Sequence, residues 1–152
     1  MKKNTMQMRL DALSQNEAFA RVVVGAFFSQ LNPTLEELAD VKTAVSEAIT
    51  NAVVHAYQGK GGQIEITVEL EGEGMTVTIR DFGKGIEDVD KAMQPFYTTG
   101  PAEERSGMGF AVMQAFMDEM TVSSEVGKGT SVTMKKKVAE IVEEGKPDVC
   151  EQ

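Results

Sequence analysis

Cysteine and histidine are almost absent from this chain, which has one of each among its 152 residues. Cys150 cannot form a disulfide within the chain, and such cysteine usage is typical of proteins that work in a reducing cytoplasm. A zinc site built from cysteine and histidine ligands is also excluded, because it needs several of these side chains.

Long apolar runs and basic clusters are scarce as well. No stretch approaches the roughly 20 apolar residues of a membrane-spanning helix, and the polar start at residues 1–4 does not lead into the apolar segment of a signal peptide. The formal net charge is -9, and the longest basic run is Lys135–Lys137. Phosphate contacts to DNA or RNA need clustered cations. We therefore expect a cytoplasmic protein that binds neither a membrane nor a nucleic acid directly.

What the chain does contain is the pattern of one α+β domain. Two segments with helical spacing lie near the start, and a third helix is expected from Phe110 to about Phe116. The expected architecture is an α/β sandwich, with helices on one face of a mixed, mostly antiparallel sheet. We assign residues 1–138 to this domain and residues 139–152 to a polar, acidic tail. Alternating apolar residues predict strands near residues 6–10, 64–70, 75–79, 121–126 and 130–138.

Two capping boxes, Ser14 with Glu17 and Thr34 with Glu37, predict where the first two helices begin. The first helix has an apolar stripe that we expect to be buried, and Arg21 falls on its polar side as a lone exposed cation. The members of this stripe are Phe19, Val22, Val23, Ala26 and Phe27. The second helix is expected to run to about Ala56 with its own stripe, formed by Leu38, Val41, Val45, Ala48, Ala52 and Ala56.

Three polar residues share one face of the second helix. Glu47, Asn51 and His55 are spaced i, i+4 and i+8, which places their side chains above one another. An amide oxygen is a suitable ligand for Mg²⁺, and a carboxylate one turn away can accept a hydroxyl proton. On spacing alone, an ordinary polar helix surface accounts for this pattern better than a site does.

A short glycine-containing motif follows the predicted strand at residues 75–79. In Asp81-x-Gly83-x-Gly85, glycines let the backbone approach a flat ligand closely. The carboxylate can accept a hydrogen bond from an exocyclic amine such as that of adenine. A plain turn explains the motif equally well.

A second glycine pair follows a long segment without regular spacing, residues 87–106, which we interpret as a loop that forms a lid. Gly107-x-Gly109 opens the third helix, where free N–H groups and the helix dipole favour phosphate. Arg105 just before it adds a positive charge. A lone Gly-x-Gly is weak evidence, because turns contain it often.

Two better-known nucleotide motifs are missing from the sequence. Each Gly-Lys is followed by Gly or Pro, so there is no phosphate loop of the Gly-Lys-Ser/Thr type. Asp81-Phe82-Gly83 imitates the magnesium motif of ordinary protein kinases, but the His-Arg-Asp loop that accompanies it there is absent.

The order of these motifs along the chain is more informative than any one motif. The Glu47/Asn51 pair, then Asp81-x-Gly83-x-Gly85, then Gly107-x-Gly109 resemble the N, G1 and G2 boxes of the GHKL ATPase/kinase superfamily, which includes gyrase, Hsp90, histidine kinases and MutL. Within that superfamily, residues 6–137 are similar to the anti-sigma factor kinases of spore-forming bacteria. The closest segments are residues 45–52, 94–99 and 104–110.

This resemblance implies a Bergerat-type domain that binds ATP and Mg²⁺. It implies a homodimer that holds sporulation sigma factor F inactive and phosphorylates a serine of an anti-anti-sigma factor. By position, Glu47 would be the general base, Asn51 the Mg²⁺ ligand and Asp81 the partner of the adenine amine. The other implied contacts are Gly83 and Gly85 at the adenine-side turn, Gly107 and Gly109 at the phosphates, Arg105 near the terminal phosphates, Thr130 at adenine through a water, and Arg21 on a surface that both protein partners use.

Three other functions remain open on the sequence. The chain could be a stress-response anti-sigma kinase of the same family, a regulator that sequesters its partner without catalysis, or the catalytic domain of a histidine kinase. Glu47 argues against the second, because binding ATP does not need a base. The third needs a phosphoacceptor histidine on a dimerisation helix, and His55 is the one histidine in the chain.

Overall fold

The computed structural model describes residues 2–94 and 109–139. In these residues five strands form one sheet in the order β1-β2-β3-β5-β4, and every pairing is antiparallel. The α+β sandwich is confirmed, with a sheet that is antiparallel throughout rather than mixed. The strands are β1 (Asn4–Asp11), β2 (Gln63–Glu71), β3 (Gly74–Asp81), β4 (Glu119–Glu125) and β5 (Gly129–Lys137).

The helices of the described residues pack in series, with α1 against α2 and α2 against α4. None of them is long and apolar enough to cross a membrane. They are α1 (Gln15–Phe28), α2 (Leu35–Thr50), α3 (Val89–Ala92) and α4 (Gly109–Phe116), with a 3₁₀ turn at Ser29–Leu31 and a π-helical segment at Asn51–Ala56.

One face of the sheet is apolar, and the helices cover it. Along β2, buried residues alternate with partly exposed ones because successive side chains of a strand point to opposite faces. Burying each large aliphatic side chain stabilises the fold by about 1.5–3 kcal/mol. The fully buried side chains that meet between sheet and helices include Ile64, Ile66, Leu70, Met75, Val41, Val45 and Ile49.

The buried stripe of α1 differs from the expected one. Phe19 and Val22 are 54% and 56% exposed, so their assignment to the core is wrong. A Cβ at Gly25 would lie 2.9 Å from Cε of Lys42, the flexible end of a side chain on α2, so a small residue here eases the approach of the two helices. The helix is apolar on two faces, and the face that carries Gly25 is the buried one. That face consists of Ala20, Val24, Gly25 and Phe28.

The two predicted capping boxes have different outcomes. Thr34 Oγ1 accepts a hydrogen bond from the Glu37 N–H at 3.0 Å, and Glu37 Oε1 accepts one from the Thr34 N–H at 2.8 Å. This box is confirmed, and its backbone hydrogen bond lowers the pKa of Glu37. Ser14 makes no side-chain cap, so the box at Ser14 is wrong. The carboxylate of Glu17 instead accepts hydrogen bonds from Ser46 on α2 and from Arg21 on its own helix.

The second helix ends near Ala56 as expected, but its hydrogen bonding changes after Thr50. In the π-helical segment the Tyr57 N–H donates to the Ala52 carbonyl, five residues back, at 3.1 Å. Such wide turns are rare and occur frequently at functional sites. Asn51 therefore sits at the junction of two kinds of helix.

The segment expected to lack regular structure contains α3. Asp88 begins this helix, and its Oδ1 accepts a hydrogen bond from the Lys91 N–H at 3.1 Å. Four residues are too few to show a helical period in the sequence, which explains why it was missed. The remainder of the expected lid, residues 95–106, and the tail after residue 139 lie outside the described residues.

Candidate functional site

A pocket of about 530 Å³ opens between the end of α2, the turn after β3, α3 and strand β5. Binding sites for small ligands typically measure about 300–1,000 Å³. The polar side chains on its walls include several that the sequence singled out, namely Asn51, His55, Asp81 and Thr130. The apolar part of the wall includes Ala48, Ile79, Phe110 and Val132.

Asp81 ends β3 and is only 7% exposed. Its Oδ1 accepts hydrogen bonds from the N–H groups of Gly83 at 3.0 Å and Thr130 at 3.2 Å. No hydrogen bond within the described part of the chain uses Oδ2, so this oxygen is left for a ligand in the pocket. Asp81 thus presents a hydrogen-bond acceptor to the pocket whenever it is ionised.

Burial raises the pKa of Asp81, and the two backbone hydrogen bonds partly oppose this rise. A raised pKa in the folded state means that folding favours the protonated carboxyl group. The contribution of Asp81 to stability is therefore present at low pH and is lost as the pH rises through the folded-state pKa. A ligand that donates to the ionised carboxylate would offset this cost.

The turn after Asp81 requires its glycines. A Cβ at Gly83 would lie 2.4 Å from the carbonyl oxygen of Ala56, and one at Gly85 would lie 2.2 Å from the carbonyl oxygen of Glu125. Gly85 also has φ +80°, a conformation that other residues rarely adopt. The turn is therefore wedged between the π-helical segment and the end of β4.

Tyr57 fastens one end of this turn, and sequence reasoning missed it. Its hydroxyl accepts a hydrogen bond from the Phe82 N–H at 2.7 Å and donates one to the Gln63 carbonyl at 2.6 Å. The ring lies against Gly62, where a Cβ would come within 2.4 Å of it. One phenol thus connects the end of the π-helical segment, the start of β2 and the residue after Asp81.

Ser124 on β4 fastens the other end, and it too was missed. Its Oγ accepts a hydrogen bond from the Ile86 N–H at 2.7 Å. The same oxygen donates to the Gly129 carbonyl at 3.0 Å and lies 2.8 Å from Thr130 Oγ1. Thr130 is 7% exposed and lines the pocket. Ser124 therefore joins the turn after β3 to a residue of the pocket wall.

Asn51 lines the pocket and contacts the first residue of α4. A Cβ at Gly109 would lie 3.1 Å from Asn51 Oδ1, so the start of α4 packs directly on this amide. The structure thereby brings Asn51 next to one of the expected phosphate-binding glycines. Gly107 and Arg105, the other residues predicted to contact phosphate, lie outside the described residues.

The donor set suits Mg²⁺ bound together with a nucleotide. Among the described residues no three His, Cys, Asp or Glu side chains form a metal-binding group. Mg²⁺ commonly takes one or two protein oxygens, with phosphate oxygens and water completing the shell. Asn51 Oδ1 at the pocket wall fits this mode, whereas a cage of protein ligands alone does not.

Glu47 lies one turn before Asn51, is partly buried and is not in the wall of the pocket formed by the described residues. Burial, and after it the charge of Glu17, raises the pKa of Glu47. A carboxylate with a raised pKa is a better base at neutral pH than an ordinary glutamate. As at Asp81, folding favours the protonated carboxyl group. The contribution of Glu47 to stability is therefore lost as the pH rises through its folded-state pKa.

Arg21 is ion-paired rather than a lone cation. Its Nη1 donates to Glu17 Oε2 at 2.8 Å and to Ser46 Oγ at 3.3 Å, and its side chain is 38% exposed. Ser46 precedes Glu47, so this cluster joins α1 to the part of α2 that carries the predicted base. Arg21 keeps an exposed portion that a partner can reach.

These features define a class of protein. An antiparallel sheet covered by helices, with a helical asparagine and an aspartate-glycine turn lining one pocket, is typical of histidine kinase-like ATPase domains. The family model of that domain matches residues 10–136. A structure of the RsbU and RsbW domains of a Mycobacterium tuberculosis protein has a TM-score of 0.67 at 20% identity, over 91% of this chain and 34% of that one. The catalytic domain of the histidine kinase ThkA has a TM-score of 0.56 at 15% identity, over 91% and 97%. At these identities the likeness shows the fold alone.

Curated relatives are much more similar in sequence. The anti-sigma F factor of Clostridium acetobutylicum is 54% identical over 139 residues, which is 91% of this chain and 97% of that protein. The anti-sigma F factor of Thermoanaerobacter sp. (strain X514) is 56% identical over 133 residues, 88% and 93% of the two chains. The chain therefore belongs to the anti-sigma F factor family, within the histidine kinase-like ATPases. The resemblance found in the sequence is confirmed, and the ATPase domain implies that the chain binds ATP.

Proposed function

We propose that this chain is an ATP-dependent serine kinase of the cytoplasm that also inhibits a sigma factor. As a homodimer with Mg-ATP bound, it holds sigma factor F inactive, and it phosphorylates a serine of an anti-anti-sigma factor. The observation that supports this most directly is that Asp81 and Asn51 line the same pocket. The names of the relatives support the choice of sigma factor F as the partner.

The adenine end of the site is assigned to Asp81. No residue in the described part of the chain hydrogen-bonds its Oδ2, and the apolar side chains of Ile79 and Val132 line the same pocket. Ile79 and Val132 are cross-strand neighbours and form one apolar surface against which a flat base would lie, with its exocyclic amine donating to the carboxylate. This hydrogen bond would offset the cost of keeping an ionised carboxylate buried.

The phosphate end is assigned to Asn51 and the start of α4. Free N–H groups at a helix N-terminus favour anions, and Gly109 brings that terminus against the Asn51 amide. Bound Mg²⁺ supplies charge neutralisation at the terminal phosphates, which is the main requirement of phosphoryl transfer. Asn51 Oδ1 would hold it from the protein side.

Glu47 is the proposed general base. It would orient the hydroxyl of the incoming serine and accept its proton, which typically accelerates a reaction by about 10²–10⁴. Its raised pKa agrees with this task. A carboxylate beside phosphates is otherwise unfavourable, so its presence one turn before Asn51 favours catalysis over passive binding.

The test compares Glu47→Gln with Asn51→Ala in single-turnover phosphorylation of a candidate anti-anti-sigma factor at saturating labelled ATP and Mg²⁺. Glu47→Gln should bind ATP and sigma factor F almost normally, with phosphorylation reduced by about 10²–10⁴. Asn51→Ala should lose both Mg²⁺-dependent ATP affinity and phosphorylation. Glu36→Gln, an exposed glutamate on the same helix, is the matched control and should behave like the wild type.

Two results would contradict this assignment. A wild-type phosphorylation rate in Glu47→Gln would favour a regulator that sequesters its partner without using a base. Unchanged Mg²⁺-dependent ATP affinity in Asn51→Ala would reject the ligand role of the amide.

A further inference from the structure

We propose that Ser124 determines base specificity by fixing the hydroxyl proton of Thr130. Thr130 then faces the pocket as a hydrogen-bond acceptor, which favours a 6-amino purine over a 6-oxo purine. This inference rests on the proposed adenine-nucleotide site and adds to it a residue that does not itself line the pocket of the described residues.

The argument counts protons around Ser124 Oγ. A serine hydroxyl has one hydrogen to donate and two lone pairs to accept with. The Ile86 N–H, at 2.7 Å, can only donate and therefore occupies one lone pair. The Gly129 carbonyl, at 3.0 Å, can only accept and therefore takes the hydrogen. All three contacts are satisfied together when Thr130 donates the third, whose oxygens lie 2.8 Å apart.

Thr130 consequently has only lone pairs to offer to the pocket. The neighbouring polar group there is Asp81, which is fixed by the Thr130 N–H and offers an acceptor as well. Two adjacent acceptors match the donor amine of a 6-amino purine, either directly or through a water. A 6-oxo purine would bring a third acceptor to the same place and leave buried groups unsatisfied. Sites built for a particular donor reject analogues that lack it strongly.

Ser124 also anchors the turn after β3 through Ile86, so its loss would lower affinity for any nucleotide. The readout must therefore be the ratio of two affinities rather than either one. ADP and inosine diphosphate share ribose and phosphates and differ in the base near position 6. The ratio of their affinities changes when the pocket exchanges a hydrogen-bond acceptor for a donor near position 6. It stays constant when a less ordered pocket lowers both affinities equally.

The experiment measures calorimetric affinities of ADP and inosine diphosphate for the full chain and three variants. Wild type should prefer ADP. In Ser124→Ala the Thr130 hydroxyl is released and can donate, so the preference should fall by about tenfold or more. Ser124→Thr keeps a hydroxyl and should restore most of it. Ser123→Ala, an exposed serine on the same strand, should leave the ratio unchanged.

A further variant tests the inference even if Ser124→Ala does not fold. Thr130→Val keeps Ser124 and its anchor to Ile86 but removes the second acceptor, and it should reduce the ADP preference in the same direction. Equal losses of ADP and inosine diphosphate affinity in both Ser124→Ala and Thr130→Val would overturn the inference while leaving the nucleotide site intact. A wild type that binds neither nucleotide would overturn the proposed function and this inference together.

Discussion

Gly85 and Gly127 form a matched pair for testing how tightly the turn after β3 is packed. Their φ angles are +80° and +83°, so alanine at either position suffers nearly the same backbone strain, about 1–2 kcal/mol. Their surroundings differ completely. A Cβ at Gly127 meets nothing within 4 Å, whereas one at Gly85 would lie 2.2 Å from the oxygen and 2.7 Å from the carbon of the Glu125 carbonyl. The difference between the two variants isolates this clash.

We expect Gly85→Ala to lose about 1–3 kcal/mol more free energy of unfolding than Gly127→Ala, which is the usual cost of overpacking. The clashing atoms belong to the backbone of β4, so they cannot move aside as a side chain would. For a domain of this size, each kcal/mol lowers the Tm by roughly 2–4 °C. Gly85→Ala should also weaken ADP binding, because relieving the clash moves the turn that lines the pocket.

Urea unfolding followed by circular dichroism measures the stability difference, and calorimetry measures ADP affinity. Gly72→Ala, at φ +61° in the open turn between β2 and β3, is a control for strain far from the pocket. If Gly85→Ala and Gly127→Ala lose the same stability, the turn has free space beside β4 and the packing argument is refuted.

Three further predictions concern the surroundings of the site. Glu17→Gln should move the acid limb of the phosphorylation pH profile to lower pH, because the Glu17 charge is, after burial, the second cause of the raised pKa of Glu47; an unmoved limb would argue against Glu47 as the titrating base. Tyr57→Phe should lower the free energy of unfolding by about 0.5–1.5 kcal/mol for each of the two hydrogen bonds it loses, measured by urea unfolding. It should also weaken ADP binding measured by calorimetry. Thr78→Val removes a hydroxyl contact within the sheet and should leave ADP binding unchanged. Arg21→Ala should weaken binding of sigma factor F and of the anti-anti-sigma factor in surface-binding assays without changing ADP affinity, and full binding of both partners would reject a shared surface.

The strands and the ligand-facing residues could be predicted because their signals are local. Alternation along β2 survives in the structure, since a two-residue period directly records which face of a strand is buried. The order of Asn51, Asp81 and the glycine pairs was sufficient to indicate the class of site, and the structure places Asn51, Asp81 and Gly85 around one pocket. The roles of these residues in catalysis and binding remain predictions.

The features that could not be predicted depend on contacts distant in the chain. Phe19 and Val22 are as apolar as the side chains buried on the other face of α1, and only the packing of α1 against α2 shows which face is buried. The hydrogen bonds of Tyr57 to Phe82 and of Ser124 to Ile86 span 25 and 38 residues. Sequence spacing does not reveal a single hydroxyl group that hydrogen-bonds to a loop in a distant part of the chain.

The π-helical segment makes the end of the second helix tolerant of a one-residue deletion. A π turn holds an additional residue compared with an α turn. Removing one, for example Val54, would convert the wide turn into an α turn that reaches nearly the same point along the helix axis. Asn51 and Tyr57 would then both stay close to their present positions. Relatives that are one residue shorter at this point should therefore hold the base and the phosphates at the same separation.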